Sequence, residues 1–206
     1  LLDNVTLGIN KGDKIGIIGV NGTGKSTLLK IIAGIEEPDE GNIIKGRKVT
    51  VTYLAQSPDY IKDENVLSYV LRGKDSSNEP KAKEILNKLG IDVYDAPMDK
   101  LSGGQKKRVA LAKVLVEPTE VLILDEPTAA LDPIAEYKIY SKFNEIVEQK
   151  TTIYISHRLS SCRFCNDIAV FHEGKLLQRG SHNTLIADKN GKYFELWNAQ
   201  AQYYNK

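Results

Sequence analysis

A glycine-rich stretch followed by a lysine and two hydroxyl residues could bind phosphate. Gly19 to Thr27 reads GVNGTGKST and fits G-x-x-x-x-G-K-[ST], a pattern in which backbone N–H groups converge on phosphate oxygens. We expect Lys25 to bridge the β- and γ-phosphates and Ser26 to offer its hydroxyl to Mg²⁺. The alternative is a glycine-rich turn without a ligand. The predicted phosphate-binding residues are Gly19, Asn21, Gly22, Thr23, Gly24, Lys25, Ser26 and Thr27.

An acidic pair at the end of an apolar run is the second candidate group. Val121 to Leu124 is followed by Asp125 and Glu126, and neighbouring side chains on a strand point to opposite sides. We therefore predict that Asp125 holds the magnesium shell, while Glu126 orients and deprotonates an attacking water. The alternative is that the pair merely ends a strand before Pro127.

Apolar periodicity predicts the elements that position these residues. A buried strand over Lys14–Gly19 leads through the glycine-rich loop into a helix from Ser26 to Gly34, which is the context that the phosphate-loop pattern requires. Other strands are predicted at Lys48–Leu54, Val121–Leu124 and Thr151–Ile155, with a hairpin formed by Ile168–Phe171 and Lys175–Gln178. Helices are predicted at Val66–Leu71, at Ala82–Leu89, from Pro133 to about Val147, and after Gly191.

This order of elements predicts an α/β fold of the P-loop NTPase type. We expect a mainly parallel central sheet, an inserted small helical lobe and an antiparallel β element. The 206 residues, 41% of them hydrophobic, suit a single domain 1–206. Its core is predicted at about 1–58 and 117–206, and the lobe at about 59–116.

Composition excludes several other classes. The net charge is +1, so no overall field marks a nucleic-acid binder, and no specific DNA binding is expected. No apolar run approaches the roughly 20 residues that cross a bilayer. Few cysteines and no secretory signal favour a cytoplasmic setting. Cys162 and Cys165 form a CxxC pair, for which we predict structural packing rather than the alternatives of a redox motif or half a zinc site.

Further motifs resemble the ABC ATPases over nearly the whole chain. These are LSGGQ at Leu101–Gln105, followed by a basic helix, and VLILDEPT at Val121–Thr128. The resemblance implies ATP and Mg²⁺ as cofactors and makes Gln56 the Q-loop glutamine, which senses magnesium and the γ-phosphate. By the same resemblance, 130–132 is the D-loop and His157 is the switch histidine.

The LSGGQ segment predicts a second anion-binding position. Ser102 can cap a helix, and the two following glycines expose N–H groups to an anion. The resemblance implies that this helix end reaches the γ-phosphate held by an opposite subunit, so that a head-to-tail dimer encloses two ATP molecules. The alternative is a capped surface helix. The nucleotide-contacting residues predicted in this part of the chain are Ser102, Gly104, Gln105 and Asp132.

Different parts of the chain resemble two different subfamilies of ABC proteins. Residues 1–128 resemble ABC-F proteins, which act on ribosomes, whereas 129–206 resemble a bacterial ABC exporter. Ala129 and Ala130 stand where ABC-F proteins carry Asn-His, and the change falls in a DEPT segment common to both groups. We therefore hypothesise a recombined or engineered chimera. The aromatic residue on which transporter ATPases stack adenine lies upstream of this chain, so we expect a missing leading strand and an exposed sheet edge.

The leading hypothesis is Mg²⁺-dependent ATP hydrolysis by a head-to-tail dimer, as the motor of an ABC transporter or related protein. The alternatives are an ABC-F ribosome-associated factor and a nucleotide-binding module without turnover. Expected partners are a second copy or a related ATPase domain, with ABC transmembrane domains or the ribosome. We expect the domain in the cytoplasm or at the inner face of a membrane. The predicted catalytic residues are Glu126, His157, Gln56 and Lys25, and the predicted metal ligands are Ser26, Gln56 and Asp125.

Overall fold

The computed structural model describes residues 2–57, 59–147 and 149–204. Among them, one six-stranded sheet has the order β2-β3-β4-β1-β5-β6. All neighbours are parallel except the antiparallel hairpin β5–β6, so the predicted mainly parallel α/β fold is confirmed. The strands are β1 (Lys14–Gly19), β2 (Val51–Leu54), β3 (Val121–Asp125), β4 (Thr151–Ile155), β5 (Asp167–His172) and β6 (Lys175–Gly180).

Helices cover both faces of the sheet. They are α1 (Lys25–Ala33), α2 (Val66–Leu71), α3 (Glu79–Lys88), α4 (Gly103–Val116), α5 (Pro133–Ser141), α6 (Phe143–Val147), α7 (His182–Ala187) and α8 (Lys192–Tyr204). Short 3₁₀ helices occupy Ser76–Asn78, Met98–Lys100 and Leu159–Phe164. In the described part of the chain, no helix combines the length and apolar character needed to span a bilayer.

The apolar strands are buried because both of their faces are covered. Ile15 and Ile123 pack with α1 on one face, whereas Leu122 and Leu124 pack with α2 to α6 on the other. Helices α2, α3 and α4 also pack on one another, in the segment where the helical lobe was expected. The division into core and lobe stays a prediction, and its boundary residue Pro58 lies outside the described residues.

Several boundaries differ from the predicted ones. Strand β2 begins at Val51 instead of Lys48, because a turn with Lys48 at a φ of 62° precedes it. The helix predicted over Pro133–Val147 is interrupted at Lys142. Phe143, the first residue of α6, is buried in the core and packs on other aromatic rings. Helix α7 was not predicted.

The segment before β1 contacts the β5–β6 hairpin. The backbone N–H of Asp3 donates to the Gly174 carbonyl at 2.9 Å, and the Arg179 guanidinium donates to the Gly8 carbonyl at 2.7 Å. Apolar side chains of the same segment, including Val5, pack against the core. The segment before β1 therefore packs on the hairpin and on the core, and the expected exposed sheet edge stays a prediction.

Candidate active site

The phosphate loop joins the end of β1 to the start of α1. A Cβ on Gly19 would lie 2.2 Å from the Phe171 carbonyl oxygen of β5, so only glycine fits there. Gly22 and Gly24 have φ values of 80° and 88°, a left-handed conformation that glycine adopts without strain. Within the loop, the Thr23 hydroxyl donates to the Val20 carbonyl at 2.9 Å. Asn21 lies exposed on this loop, and Ser26 and Thr27 lie in the first turn of α1.

Lys25 folds back across the mouth of this loop. Its Nζ atom donates to the carbonyls of Gly19 at 2.9 Å and Val20 at 2.7 Å. Burial lowers the pKa of Lys25, while the nearby carboxylates of Glu126 and Asp125 oppose that shift. Within the described chain, the Lys25 ammonium donates only to neutral carbonyls, and a buried cation is stabilised more by an anion than by carbonyls. The loop therefore offers a favourable position for a phosphate group.

Asp125 joins α1 to two strands of the sheet. Its Oδ1 accepts from the Ser26 hydroxyl at 3.1 Å, and its Oδ2 accepts from the Tyr53 hydroxyl at 3.0 Å. Burial, followed by the charge of Asp125, raises the pKa of Tyr53, which keeps that hydroxyl a donor. The carboxylate and the Ser26 hydroxyl are hard oxygen ligands that fit Mg²⁺, with phosphate and water completing its shell. The contact of Tyr53 with this carboxylate was not predicted from the sequence.

Glu126 lies just after the end of β3, and its carboxylate has other hydrogen-bond partners than that of Asp125. Its Oε2 accepts from the Gln56 amide at 2.9 Å, and its Oε1 lies 2.5 Å from Nε2 of His157. Glu126 has a φ of 51°, a backbone conformation that costs a non-glycine residue about 1–3 kcal/mol and clusters at functional sites. This turn aims the carboxylate at His157, just beyond the end of β4.

A cavity of about 190 Å³ opens beside Glu126 and His157. Its volume is several times the space occupied by one water. The cavity therefore offers room for a nucleophilic water next to the carboxylate. It is lined by Glu126, Thr128, Ala129, Glu136, Ile155, Ser156, His157 and Arg158.

A buried ion pair in the wall of this cavity was not predicted from the sequence either. Glu136 is 4% exposed and accepts from the Thr128 hydroxyl and from Arg158, both at 2.6 Å. Arg158 also donates to the carbonyl of Leu131 at 2.8 Å. The pair thus links the segment after β3, the D-loop and the segment that carries His157. The only sequence signal for Arg158 was its place next to that histidine.

The LSGGQ residues form a separate group at the start of α4. The Gln105 N–H donates to Oγ of Ser102 at 3.2 Å, and the Ser102 N–H donates to Oε1 of Gln105 at 2.9 Å. This is a capping box. Gly104 lies against the D-loop, since a Cβ there would be 2.9 Å from a methyl carbon of Leu131. The start of α4 is therefore held against that loop.

Asp132 is a helix cap in this structure. Its Oδ1 accepts from the backbone N–H groups of Ile134 at 3.0 Å and Ala135 at 2.9 Å. These hydrogen bonds lower the pKa of the Asp132 carboxyl. Asp132 therefore fixes the start of α5 and the shape of the D-loop, and its predicted contact with nucleotide stays a prediction.

Cys162 and Cys165 are free thiols. A Cβ on Gly16 of β1 would lie 2.7 Å from Sγ of Cys165 and 3.6 Å from Sγ of Cys162, so the thiols fill the space above that glycine. The residues that the structure describes contain no group of three or more histidine, cysteine or acidic side chains arranged to hold a metal. The contacts agree with the predicted packing role.

A phosphate loop between β1 and α1 of a parallel sheet places the chain among the P-loop NTPases. The family described as "ABC transporter" matches residues 2–129. The lactococcin transport/processing ATP-binding protein LcnC-like of Lactococcus lactis subsp. lactis (strain IL1403) is 34% identical over 96% of this chain and 30% of its own length. The chain therefore belongs to the ABC transporter family and is an ABC ATPase domain.

Solved structures agree with this assignment. A bacterial Atm1-family ABC exporter with ATP bound has a TM-score of 0.85 at 29% identity, over 97% of this chain and 39% of that chain. The dimeric cassette MJ0796 in a post-hydrolysis state with ADP and Pi has a TM-score of 0.77 at 26% identity, over 87% of this chain and 90% of that one. The LcnC-like relative aligns over 96% of the chain, on both sides of Thr128. The ABC-F resemblance and the chimera stay predictions.

Proposed function

We propose that this domain is the ATP-hydrolysing motor of an ABC exporter and works as a head-to-tail dimer with two composite Mg·ATP sites. The observation that carries this proposal is the position of Glu126 between Gln56 and His157, one residue beyond the Asp125–Ser26 pair. A general base beside a magnesium-type site is the arrangement that phosphoanhydride hydrolysis requires. The domain would act at the cytoplasmic face of a membrane.

Each residue of this cluster then has a separate task. The phosphate loop and Lys25 bind the phosphates, and Asp125, Ser26 and Gln56 would hold Mg²⁺. When bound, this ion neutralises charge on the phosphate oxygens. Glu126 accepts the proton of the attacking water, while His157 fixes the Glu126 carboxylate through the contact at Oε1.

A partner subunit would complete each site. The start of α4 presents backbone N–H groups with a favourable helix dipole for an anion, and Ser102 is exposed there. In the proposed dimer, Ser102, Gly104 and Gln105 contact the γ-phosphate on the opposite copy. The dimeric state of the similar cassette MJ0796 supports this arrangement.

The exporter assignment extends beyond the chain itself. The chain spans about a third of the LcnC-like relative, and that relative and the Atm1-family exporter are transport proteins by name. We therefore propose ABC transmembrane domains as partners of the motor. The comparisons give no support for a ribosomal partner.

Phosphate release from Mg·ATP, measured over a range of protein concentrations, tests both hydrolysis and assembly. We expect activity per molecule to rise with concentration, and Glu126→Gln to bind ATP without releasing phosphate. The matched control is Glu120→Gln, an exposed glutamate just before β3, which should hydrolyse ATP as the wild type does. Full hydrolysis by Glu126→Gln would refute the assigned general base. ATP binding without phosphate release in the wild type would instead identify a binding module without turnover.

A further inference from the structure

Gln200, on α8, holds the main chain on both sides of the switch histidine. Its Oε1 accepts from the backbone N–H of Leu159 at 2.9 Å, and its Nε2 donates to the carbonyl of His157. One amide side chain therefore satisfies a donor and an acceptor two residues apart. Gln200 lies outside the residues that the family match covers.

These hydrogen bonds matter because the His157 ring is poorly held by packing. Its side chain is 40% exposed, and among the described residues its ring forms a hydrogen bond with Glu126 alone, at 2.5 Å. The place of the ring therefore depends on the backbone that carries it. That backbone spans Ser156 to Leu159, which we name the switch segment.

The switch segment is held from two directions. The side chain of Arg158 donates to the Glu136 carboxylate and to the carbonyl of Leu131 in the D-loop. Toward α8, the described contacts of the His157 carbonyl and the Leu159 N–H are those with Gln200. Leu159 is buried, and a buried backbone N–H needs a partner, so the amide of Gln200 sets the position of the switch segment relative to α8.

Helix α8 is itself anchored away from the switch segment. Tyr193 in its first turn is fully buried, and its backbone N–H donates to Oε1 of Gln178 at 2.9 Å. The Trp197 ring packs on His182, with ring centroids 4.6 Å apart. The helix thus connects the β6–α7 part of the domain to the switch segment through Gln200.

We propose that Gln200 is a positioning residue for hydrolysis, and that α8 sets the place from which His157 meets Glu126. This inference rests on the proposed ATPase function. It assigns a role in turnover to the last helix of the described chain, which neither binds phosphate nor carries a motif residue. A displacement of α8 would then change the hydrolysis rate without touching the nucleotide.

The test compares Gln200→Leu, which keeps the size of the side chain, with Gln200→Glu, which keeps the acceptor but turns a carboxylate toward the His157 carbonyl. A cavity of about 210 Å³ borders Gln200, so both side chains have room. We expect kcat to fall about 10-fold to 100-fold, since small displacements of catalytic groups have effects of this size. The KM for ATP should stay within twofold, because the phosphate loop is untouched. Gln202→Leu, an exposed glutamine on the same helix, is the matched control and should leave kcat unchanged.

A double variant separates positioning from a general structural effect. If Gln200 acts through His157, Gln200→Leu should add no further loss to His157→Ala, since the effects of residues acting as one unit do not add. A full additional loss would overturn the proposal, and so would an unchanged kcat in Gln200→Leu. If the wild type bound ATP without releasing phosphate, the proposed function would fail first. Hydrolysis that is lost in Glu126→Gln but unaffected in Gln200→Leu would overturn this inference alone.

Discussion

The hydroxyl of Tyr53 donates to Oδ2 of Asp125 at 3.0 Å, across the pairing of β2 with β3. The opposite oxygen of the same carboxylate accepts from Ser26. Asp125 is therefore oriented by one hydroxyl from each side. In this geometry, a tyrosine three residues before Gln56 helps to fix the carboxylate proposed to hold Mg²⁺.

Tyr53→Phe should weaken the apparent affinity for Mg²⁺ during hydrolysis. Loss of the hydroxyl leaves Asp125 with one orienting donor, and we expect an increase of about 2-fold to 10-fold in the Mg²⁺ concentration for half-maximal rate, equivalent to one lost hydrogen bond of about 0.5–1.5 kcal/mol. The control is Tyr94→Phe, which removes a hydroxyl that donates to Asn87 at 2.7 Å. An unchanged magnesium dependence in Tyr53→Phe would show that Tyr53 does not support the metal site.

Local sequence signals predicted the strand, loop and helix that form the phosphate loop. Gly22 and Gly24 have positive φ values, which glycine adopts without strain, and the apolar run before Asp125 marks the strand β3. Such features depend on neighbouring residues, and they could therefore be inferred before the fold was known.

The contacts that could not be predicted from the sequence depend on tertiary structure. Tyr53 lies 72 positions before Asp125, and the two residues meet only because β2 pairs with β3 in the sheet. Glu136 and Arg158 are 22 positions apart, and each reads as an ordinary surface charge in the sequence. The order of the strands decides both contacts, and no local pattern in this sequence reports that order.

Lys25→Met should abolish the stabilisation of the domain by ATP. The wild type gains about 2.7 kcal/mol when ATP is at 100 times its Kd, whereas the variant should gain close to none, because the phosphates lose their ammonium partner. The matched control is Lys14→Met at the opposite end of β1, where the buried Nζ also donates to two carbonyls. Thermal unfolding with and without Mg·ATP measures the difference, and an unaltered ATP response in Lys25→Met would contradict the assignment.

The same lysine gives a pH dependence in the absence of nucleotide. Burial lowers the pKa of Lys25 below its usual 10.5, so between the folded-state pKa and 10.5 the folded protein binds fewer protons than the unfolded chain. The contribution of Lys25 to the free energy of unfolding therefore rises with pH in that window. Lys25→Met should lack this rise. Denaturant titrations at pH 8 and at pH 10 provide the comparison, and parallel pH profiles for the two proteins would contradict it.

Removing one partner of the Glu136–Arg158 pair should destabilise the domain. Arg158→Met leaves the Glu136 carboxylate, with 6% of its side chain exposed, without its cation, and we expect a loss of about 3 kcal/mol in the free energy of unfolding. The double variant Glu136→Met with Arg158→Met should recover most of that loss. Glu195→Gln, which breaks a pair with 65% of the glutamate side chain exposed, should cost less than about 1 kcal/mol. Equal losses in the buried and exposed pairs would contradict this reasoning.

Ser102→Asp separates the capping role of Ser102 from its proposed contact with the partner's nucleotide. Aspartate and asparagine cap helices about as well as serine, so both Ser102→Asp and Ser102→Asn should keep the free energy of unfolding within about 0.5 kcal/mol of the wild type. Aspartate alone places a negative charge where the composite site needs to bind the γ-phosphate. We therefore expect Ser102→Asp to lose ATP-dependent dimerisation and hydrolysis, while Ser102→Asn retains both to a measurable degree. Size-exclusion chromatography of each variant carrying Glu126→Gln, with and without Mg·ATP, gives the dimer fraction. A full ATP-dependent dimer with aspartate at this position would show that the start of α4 does not face the γ-phosphate of a partner.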